Sequence, residues 1–285
     1  FAATIRNRNT RMAYAQAIRQ FFCWCESRGF QALDQIEPLV VAAYIEQHPG
    51  AKPTVKQHLA AIRMLFDWLV TGQIVPHNPA ASVRGPTHVV KRGRTPVLSA
   101  EQARELLASI DVSTTIGLRD RALIGVMVYT FARVSAAVAI TVGDYYPEGK
   151  RWWIRLHEKG GKQHAVPAHH VLEAYLDEYA KAVGPNLDRT SPLFRTIDRS
   201  GVFTSRAMSR GDALRMIKRR CRAIGLPANI CCHTFRATGI TSYLENGGTI
   251  EKAQAIAAHE SPRTTKLYDR TSDEISLDEI ERILI

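Results

Sequence analysis

The amino-acid sequence predicts a mainly α-helical protein with a small antiparallel β-sheet, divided into two domains. Most of the chain repeats its apolar residues at helical spacing, and only the region around 151–167 has the two-residue period of a β-hairpin. A proline-bounded, cationic stretch without periodicity, residues 86–97, follows a purely helical first part. The length of 285 residues leaves room for two cores of ordinary size.

Three helices are predicted in the first part from their apolar spacing and their terminal residues. The first covers 10–28 and is closed by Gly29. The second covers 38–47, and the third opens at Pro53 and ends near Gly72, so both begin with proline in the first turn. Together these segments indicate a small helical bundle.

Positive charge is concentrated in the first third of the chain. The sequence has a formal net charge of +11, and residues 1–97 carry 12 lysines and arginines against 5 acidic residues. This excess favours an anionic partner, with a merely solubilising surface as the alternative. The cations predicted to contact phosphates flank the apolar face of the third helix or lie in the linker: Lys56, Arg63, Lys91, Arg92 and Arg94.

The second part is predicted to combine helices with one β-hairpin. Ser99, with Gln102 three residues later, has the pattern of a capping box that begins a helix. The other predicted elements are a helix at 117–130, strands at 151–156 and 164–167 around a Gly160-Gly161 turn, and helices at 170–182, 207–224 and 234–245.

Composition excludes several classes of protein. No stretch reaches 18 apolar residues, so no transmembrane helix is expected, and no charged-then-apolar leader follows Phe1. The cysteine count of 5 is odd, which indicates reduced thiols and a cytoplasmic location. The CxC and CC spacings match no common structural zinc pattern, and neither a metal nor another cofactor is predicted.

Six polar residues of the second part form a set suited to chemistry on a phosphodiester. They are Arg133, Lys159, His233, Arg236, His259 and Tyr268. A phosphate under attack becomes a five-coordinate anion, and the planar, charged fork of arginine suits its non-bridging oxygens. A tyrosine can attack if a base or nearby cations activate it, a histidine can move a proton, and a lysine can protonate the departing oxygen.

In their order and spacing, these residues resemble the motifs of tyrosine recombinases, the phage-integrase family that includes the Xer and Cre proteins. The run Arg133-Val134-Ser135 is similar to the family's first arginine motif, and Lys159 to its hairpin lysine. His233 and Arg236 match the H-x-x-R box. The run Ala257-Ala258-His259 resembles the L-G-H box, and Tyr268 matches the nucleophile.

Three positions of the resemblance leave room for alternatives. Ala136 stands where the family has an acidic residue that supports the H-x-x-R histidine, which affects the expected orientation and protonation of His233. Ala258 replaces a glycine, which is expected to be a mild change. Lys162 is the alternative to Lys159 as the hairpin lysine.

The resemblance also implies an organisation and a set of partners. It implies a helical core-binding domain at 1–86, a basic linker at 87–97 and an α+β catalytic domain at 98–285. The implied activity is site-specific cleavage and rejoining of double-stranded DNA through a 3′-phosphotyrosyl intermediate, without metal or ATP. A prokaryotic or mobile-element protein associated with the nucleoid is expected.

The resemblance further implies a homotetramer on two DNA duplexes, in which residues 277–285 of one protomer dock on the next. This segment has the apolar face of a short helix, and such a helix needs a surface to pack on. Packing on its own domain is the alternative. The apolar positions are Leu277, Ile280, Ile283 and Leu284.

Two other functions would use similar residues. A type IB topoisomerase-like or telomere-resolving strand transferase would have the same centre, and stable synapsis of two duplexes distinguishes a recombinase from it. A catalytically weakened DNA-binding accessory protein is favoured only by Ala136. Formation of a covalent protein–DNA adduct would exclude that function.

Overall fold

The computed structural model describes residues 1–88, 93–158, 161–184 and 188–269. They belong to two compact units, Phe1–Val90 and Lys91–Ile285. Each unit has its own core of buried apolar side chains.

The first unit is a small helical bundle, as its periodicity predicts. Its helices are α1 (Arg8–Ser27), α2 (Pro38–Gln47) and α3 (Lys52–Thr71), with 3₁₀ turns at Ala2–Thr4 and Leu33–Gln35. Asn7 caps α1 by accepting two backbone N–H groups of its first turn. The apolar faces meet in a core whose most buried members include Phe21, Val41, Ile62 and Phe66.

Arg63 has a structural role within this bundle. Its Nε donates to the carbonyl of Ala80 at 3.1 Å and its Nη2 donates to the carbonyl of Val83, so the guanidinium stabilises the chain that follows α3. Lys56, by contrast, is exposed. Of the two helix cations predicted to contact phosphates, Lys56 is therefore the one whose charge faces solvent, and most of the Arg63 fork is engaged by carbonyls.

The second unit is mainly helical with small antiparallel sheets, which confirms the predicted fold class. Its helices are α4 (Ala100–Ala108), α5 (Thr115–Tyr129), α6 (Val134–Ala137), α7 (His170–Val183), α8 (Arg210–Ala223), α9 (Cys232–Glu245), α10 (Ile250–Ile256) and α11 (Pro262–Lys266). Its strands are β1 (Tyr145–Glu148), β2 (Arg151–His157), β3 (Gln163–Pro167), β4 (Arg195–Ile197) and β5 (Phe203–Ala207). The predicted capping box holds at α4, where Ser99 and Gln102 exchange hydrogen bonds of 3.2 and 3.0 Å.

The sheets differ from the prediction in extent. The predicted hairpin is β2–β3, with Ile154 opposite Val166, and β1 extends it to a three-stranded sheet of order β1-β2-β3. Strands β4 and β5 form a second, two-stranded sheet that the sequence did not predict. The helix predicted at 207–224 was wrong at its start, because Ala207 ends β5 and α8 begins at Arg210.

Helix α9 carries two of the predicted catalytic residues and packs closely on α5. The closest approach is at Gly239, where an added Cβ would lie 2.1 Å from the Val128 carbonyl oxygen. Only glycine allows the backbones to meet at this distance. This contact sets the distance between α9 and the C-terminal end of α5, just before Arg133.

Among the described residues, no helix is long and apolar enough to cross a membrane. No group of three or more His, Cys, Asp or Glu in the same part of the chain could hold a metal ion. The five cysteines are free thiols.

Candidate active site

Tyr268 and His233 meet in the second unit. The Tyr268 hydroxyl lies 2.7 Å from His233 Nε2, and Tyr268 is 7% exposed. His233 is in the first turn of α9, and Tyr268 follows the last turn of α11. Thr241, farther along α9, donates its hydroxyl to the Tyr268 carbonyl at 3.0 Å and so fixes the backbone of the tyrosine.

Arg236 lies one turn after His233, on the same face of α9. It is 1% exposed, and its two terminal nitrogens donate to the carbonyls of Phe131 and Ala257, the latter at 2.7 Å. Its Nε is buried without a hydrogen-bond partner among the described residues. Arg236 therefore ties together two loops of the site, and its guanidinium also interacts with the Tyr268 side chain.

Arg133 approaches from the N-terminal end of α6. Its Nη1 donates to Glu158 Oε2 at 2.6 Å, and the Glu158 side chain is almost completely buried. Glu158 directly follows β2, at the base of the β2–β3 hairpin. The sequence did not single out Glu158, because nothing in its local pattern distinguishes a buried acid from a solvated hairpin residue.

His259 packs against the tyrosine. Its ring is stacked on that of Tyr268, with centroids 5.8 Å apart and an interplanar angle of 7°. Its Nδ1 lies 2.9 Å from the hydroxyl of Thr265, a fully buried residue of α11 that the sequence analysis also missed. The structure thus brings five of the six predicted catalytic residues into one site.

Burial and positive charge control protonation in this site. Burial raises the pKa of Tyr268, although the nearby charges of Arg236 and Arg133 partly offset this effect. Burial and the same two arginines lower the pKa of His233 and bring that of His259 to about 3. Burial lowers the pKa of Arg236 to about 10, so its guanidinium remains charged at neutral pH. The histidines are then neutral, and His233 Nε2 can accept the tyrosine hydroxyl in its Nδ1–H tautomer.

Three of the predicted residues lie outside the described residues: Lys159, Lys91 and Arg92. Arg94 is described and exposed. Lys162, the alternative hairpin lysine, is exposed and pairs with Glu260 at 2.9 Å.

The sequence matches models of known protein families. Residues 96–274 match the family model described as the phage integrase family. The chain belongs to this family. Residues 3–73 match a second model, the N-terminal SAM-like domain of phage integrases. The resemblance predicted from the motifs is confirmed.

Named relatives define the activity. The chain is 26% identical over 267 residues to tyrosine recombinase XerD of Listeria monocytogenes serotype 4b, covering 91% of this chain and 87% of the relative. It is 30% identical over 227 residues to tyrosine recombinase XerC of Chlamydia caviae, covering 79% and 70%. This phage-integrase family member is a tyrosine recombinase, an enzyme that breaks and rejoins DNA strands. The topoisomerase-like and accessory-protein alternatives are not favoured.

Solved structures share the fold. XerH site-specific recombinase, in its post-cleavage complex with a palindromic difH substrate, superposes with a TM-score of 0.73 at 21% identity, covering 90% of this chain and 75% of that one. A lambda integrase dimer bound to a COC′ core site gives a TM-score of 0.71 at 18% identity, with coverages of 97% and 77%. Both likenesses are evidence for the recombinase fold.

The backbone before His259 is strained. Ala258 has φ +47°, a left-handed conformation that costs a residue with a Cβ about 1–2 kcal/mol. We therefore expect Ala258→Gly to raise the free energy of unfolding by about 1 kcal/mol, as measured by denaturant titration. Ala257→Gly is the matched control, because Ala257 has φ −78° and its replacement should lower stability. Equal effects of the two substitutions would contradict the assigned strain.

Protonation of His259 should weaken the fold in acid. A histidine whose pKa is about 3 when folded and near its usual 6.5 when unfolded stabilises the protein fully above pH 6.5, and this contribution is lost as the pH falls towards 3. Between pH 7 and pH 5, wild type should lose about 2 kcal/mol more unfolding free energy than His259→Gln. His77→Gln, at an exposed histidine, should behave as wild type. Equal losses in wild type and His259→Gln would refute the assignment.

Proposed function

We propose that Tyr268 attacks the scissile phosphodiester of a specific double-stranded DNA site. The attack would form a 3′-phosphotyrosyl bond and release a 5′-hydroxyl. The observation that carries this proposal is the 2.7 Å contact between the Tyr268 hydroxyl and His233 Nε2 within a site that also holds two arginines. Because burial raises the pKa of Tyr268, the hydroxyl needs a base in contact with it, and neutral His233 meets that need.

The remaining groups would stabilise the negative charge of the transition state and transfer the two protons of the reaction. Arg133 and Arg236 would hold the non-bridging oxygens, where negative charge develops in the transition state. The proton of Tyr268 passes to His233. Lys159 would protonate the departing 5′-oxygen, and His259 would hold the tyrosine ring and add a hydrogen bond from its Nε2.

Rejoining is the reverse reaction with a new strand. A 5′-hydroxyl from a partner duplex attacks the phosphotyrosyl bond, and Tyr268 recovers its proton. The energy of the broken phosphodiester is conserved in the tyrosyl ester, so the reaction needs no ATP.

Recognition of DNA is proposed to involve both parts of the chain. We assign core binding to residues 1–86, a linker to 87–97 and catalysis to 98–285, and the two matched family models lie largely inside the first and last of these ranges. The candidate phosphate contacts are the exposed Lys56 and Arg94, with Lys91 and Arg92 in the linker. The excess positive charge of the first third supports this assignment. A nucleoid-associated protein in the cytoplasm is consistent with such binding.

The experiment that tests the function uses a duplex with a nick beside the cleavage point. The short fragment released by cleavage diffuses away, so that the covalent protein–DNA adduct accumulates. DNA from the protein's own genomic neighbourhood would be screened for adducts that survive denaturing electrophoresis. Absence of any adduct from a protein that binds the same DNA would refute the proposal.

We further propose assembly as a tetramer on two duplexes through the C-terminal segment 277–285, which lies outside the described residues. Support comes from a largely apolar cavity of about 930 Å³ in the second unit. A lambda integrase tetramer bound to a Holliday junction has the same fold, with a TM-score of 0.68. The cavity walls include Leu107, Ile124, Val128, Phe131, Phe235 and Ile256.

Deletion of residues 277–285 is expected to separate binding from assembly. Single-site DNA binding should change by less than about threefold, because the candidate phosphate contacts remain, whereas cooperative binding and synapsis of two duplexes should be lost. Gel-shift titrations on one-site and two-site duplexes measure both. Loss of single-site binding or of folding in the truncated protein would instead assign the segment to its own core.

A further inference from the structure

Glu158 is a buried acid inside a strongly cationic site. Its side chain is 3% exposed, its Oε2 accepts from Arg133 Nη1 at 2.6 Å, and its Oε1 has no hydrogen-bond partner among the described residues. A buried carboxylate in this state is costly unless it compensates for nearby positive charge. The charge that it compensates belongs to the proposed phosphate-binding groups.

The two arginines repel each other when no phosphate is bound. The charge of Arg133 lowers the pKa of Arg236, and the charge of Glu158 raises it, so the carboxylate acts on both guanidinium groups. Because Arg236 is also buried, this repulsion is weakly screened. Glu158 thus supplies the negative charge that keeps the two arginines together in the empty site.

The contact with Glu158 also leaves the Nε and Nη2 donors of Arg133 available for a ligand. Among the described residues, Arg133 donates to Glu158 through Nη1 only, and its side chain remains 35% exposed. A guanidinium held at one corner by a carboxylate keeps its Nε and Nη2 for a phosphate. The Glu158 backbone is fixed as well, because its N–H donates to the Lys162 carbonyl at 2.7 Å and closes the base of the hairpin loop.

We propose that Glu158 is a positioning residue for strand cleavage. Its carboxylate holds Arg133 in the orientation that receives the scissile phosphate, and it anchors that arginine to the β2–β3 hairpin. This role rests on the proposed function of Arg133 in phosphate binding. Glu158 itself does not touch the reacting atoms.

A double-mutant cycle tests the proposal by the initial rate of adduct formation on the nicked duplex. Glu158→Gln keeps the shape of the side chain and removes its charge, and it should slow cleavage by about 100-fold while DNA binding changes less than about threefold. In an Arg133→Ala background, Glu158→Gln should change the rate by less than about threefold, because the group that it positions is absent. If Glu158→Gln fails to fold, Glu158→Asp, which keeps the charge and shortens its reach, replaces it in the cycle.

Three results would overturn the role. If Glu158→Gln lowered the cleavage rate equally in the wild-type and Arg133→Ala backgrounds, Glu158 would act through another group. If Glu158→Gln cleaved faster than wild type, the carboxylate would compete with phosphate. If DNA binding fell in parallel with cleavage, the role of Glu158 would be generally structural. Glu178→Gln is the matched control, since Glu178 pairs with Arg121 outside the site. Wild-type adduct formation is measured first, so failure of the proposed function is seen separately from failure of this inference.

Discussion

Tyr268→Phe is expected to abolish formation of the covalent protein–DNA adduct while leaving DNA binding within about threefold of wild type. The substitution removes only the hydroxyl that contacts His233, and the two arginines and the buried ring environment remain. Removing the nucleophile of a covalent mechanism can cost on the order of a million-fold in rate, which lies below detection in an adduct assay. Gel electrophoresis under denaturing conditions and a parallel gel shift give both quantities.

The control for this experiment is Tyr243→Phe. Tyr243 lies on the same helix as His233, is partly buried, and packs its ring near Phe131 with centroids 6.0 Å apart. Tyr243→Phe should form the adduct at a rate within about threefold of wild type, because the Tyr268 hydroxyl is paired with His233 and not with the Tyr243 hydroxyl. An adduct that persists in Tyr268→Phe would identify a different nucleophile and would require the site to be reassigned.

Helices α1 and α3, with 20 residues each, could be predicted from sequence because each contains several turns of periodic apolar residues. Helix α6, with 4 residues, is a single turn and was not predicted. Helix α2 has the predicted bounds, Pro38–Gln47, since proline fixes its start and four apolar side chains mark its buried face. Strands β1 and β4, with 4 and 3 residues, are too short to show a repeat. For the same reason, the start of α8 was placed inside β5.

In the candidate site, the chemical types of the residues could be predicted from the sequence, but several of their contacts could not. Residue types, together with an order and spacing that resemble the family's motifs, were enough to predict Tyr268, His233 and Arg236 as candidates for the proposed reaction. They could not reveal that Arg236 is also a buried connection between two loops, or that Ala258 is left-handed. Both facts depend on tertiary contacts between segments far apart in the chain.

The pairing of Glu158 with Arg133 illustrates why such contacts escape a sequence pattern. The two residues are 25 positions apart and lie on different elements, the hairpin and the start of α6. Only the folded sheet brings them together. The acid that the resemblance implies at position 136, where it would support His233, is absent, and Ala136 is completely buried. The carboxylate in contact with Arg133 belongs to Glu158, a position that the motifs do not specify.

Arg236→Lys is expected to reduce the rate of strand cleavage by about 10²–10³-fold while DNA binding falls less than about threefold. Lysine keeps a positive charge, but its single nitrogen cannot reach the Phe131 and Ala257 carbonyls and also present parallel donors to the phosphate, as the planar arginine fork with five N–H groups does. Arg236→Lys is a more specific test than Arg236→Ala, because the alanine would also remove the positive charge and leave both carbonyls without a cation.

The lost hydrogen bonds should also lower the unfolding free energy, by about 2 kcal/mol, so rates must be measured at a temperature where the variant remains folded. Arg121→Lys is the control for an arginine-to-lysine change outside the site, where Arg121 pairs with Glu178 and lies over the Tyr175 ring. It should cleave at nearly the wild-type rate. A selective loss of cleavage in Arg236→Lys would assign the remaining Arg236 donors to the transition state. If binding and cleavage fell together by the same factor, Arg236 would be an ordinary phosphate contact, and charge stabilisation would rest on Arg133 and the hairpin.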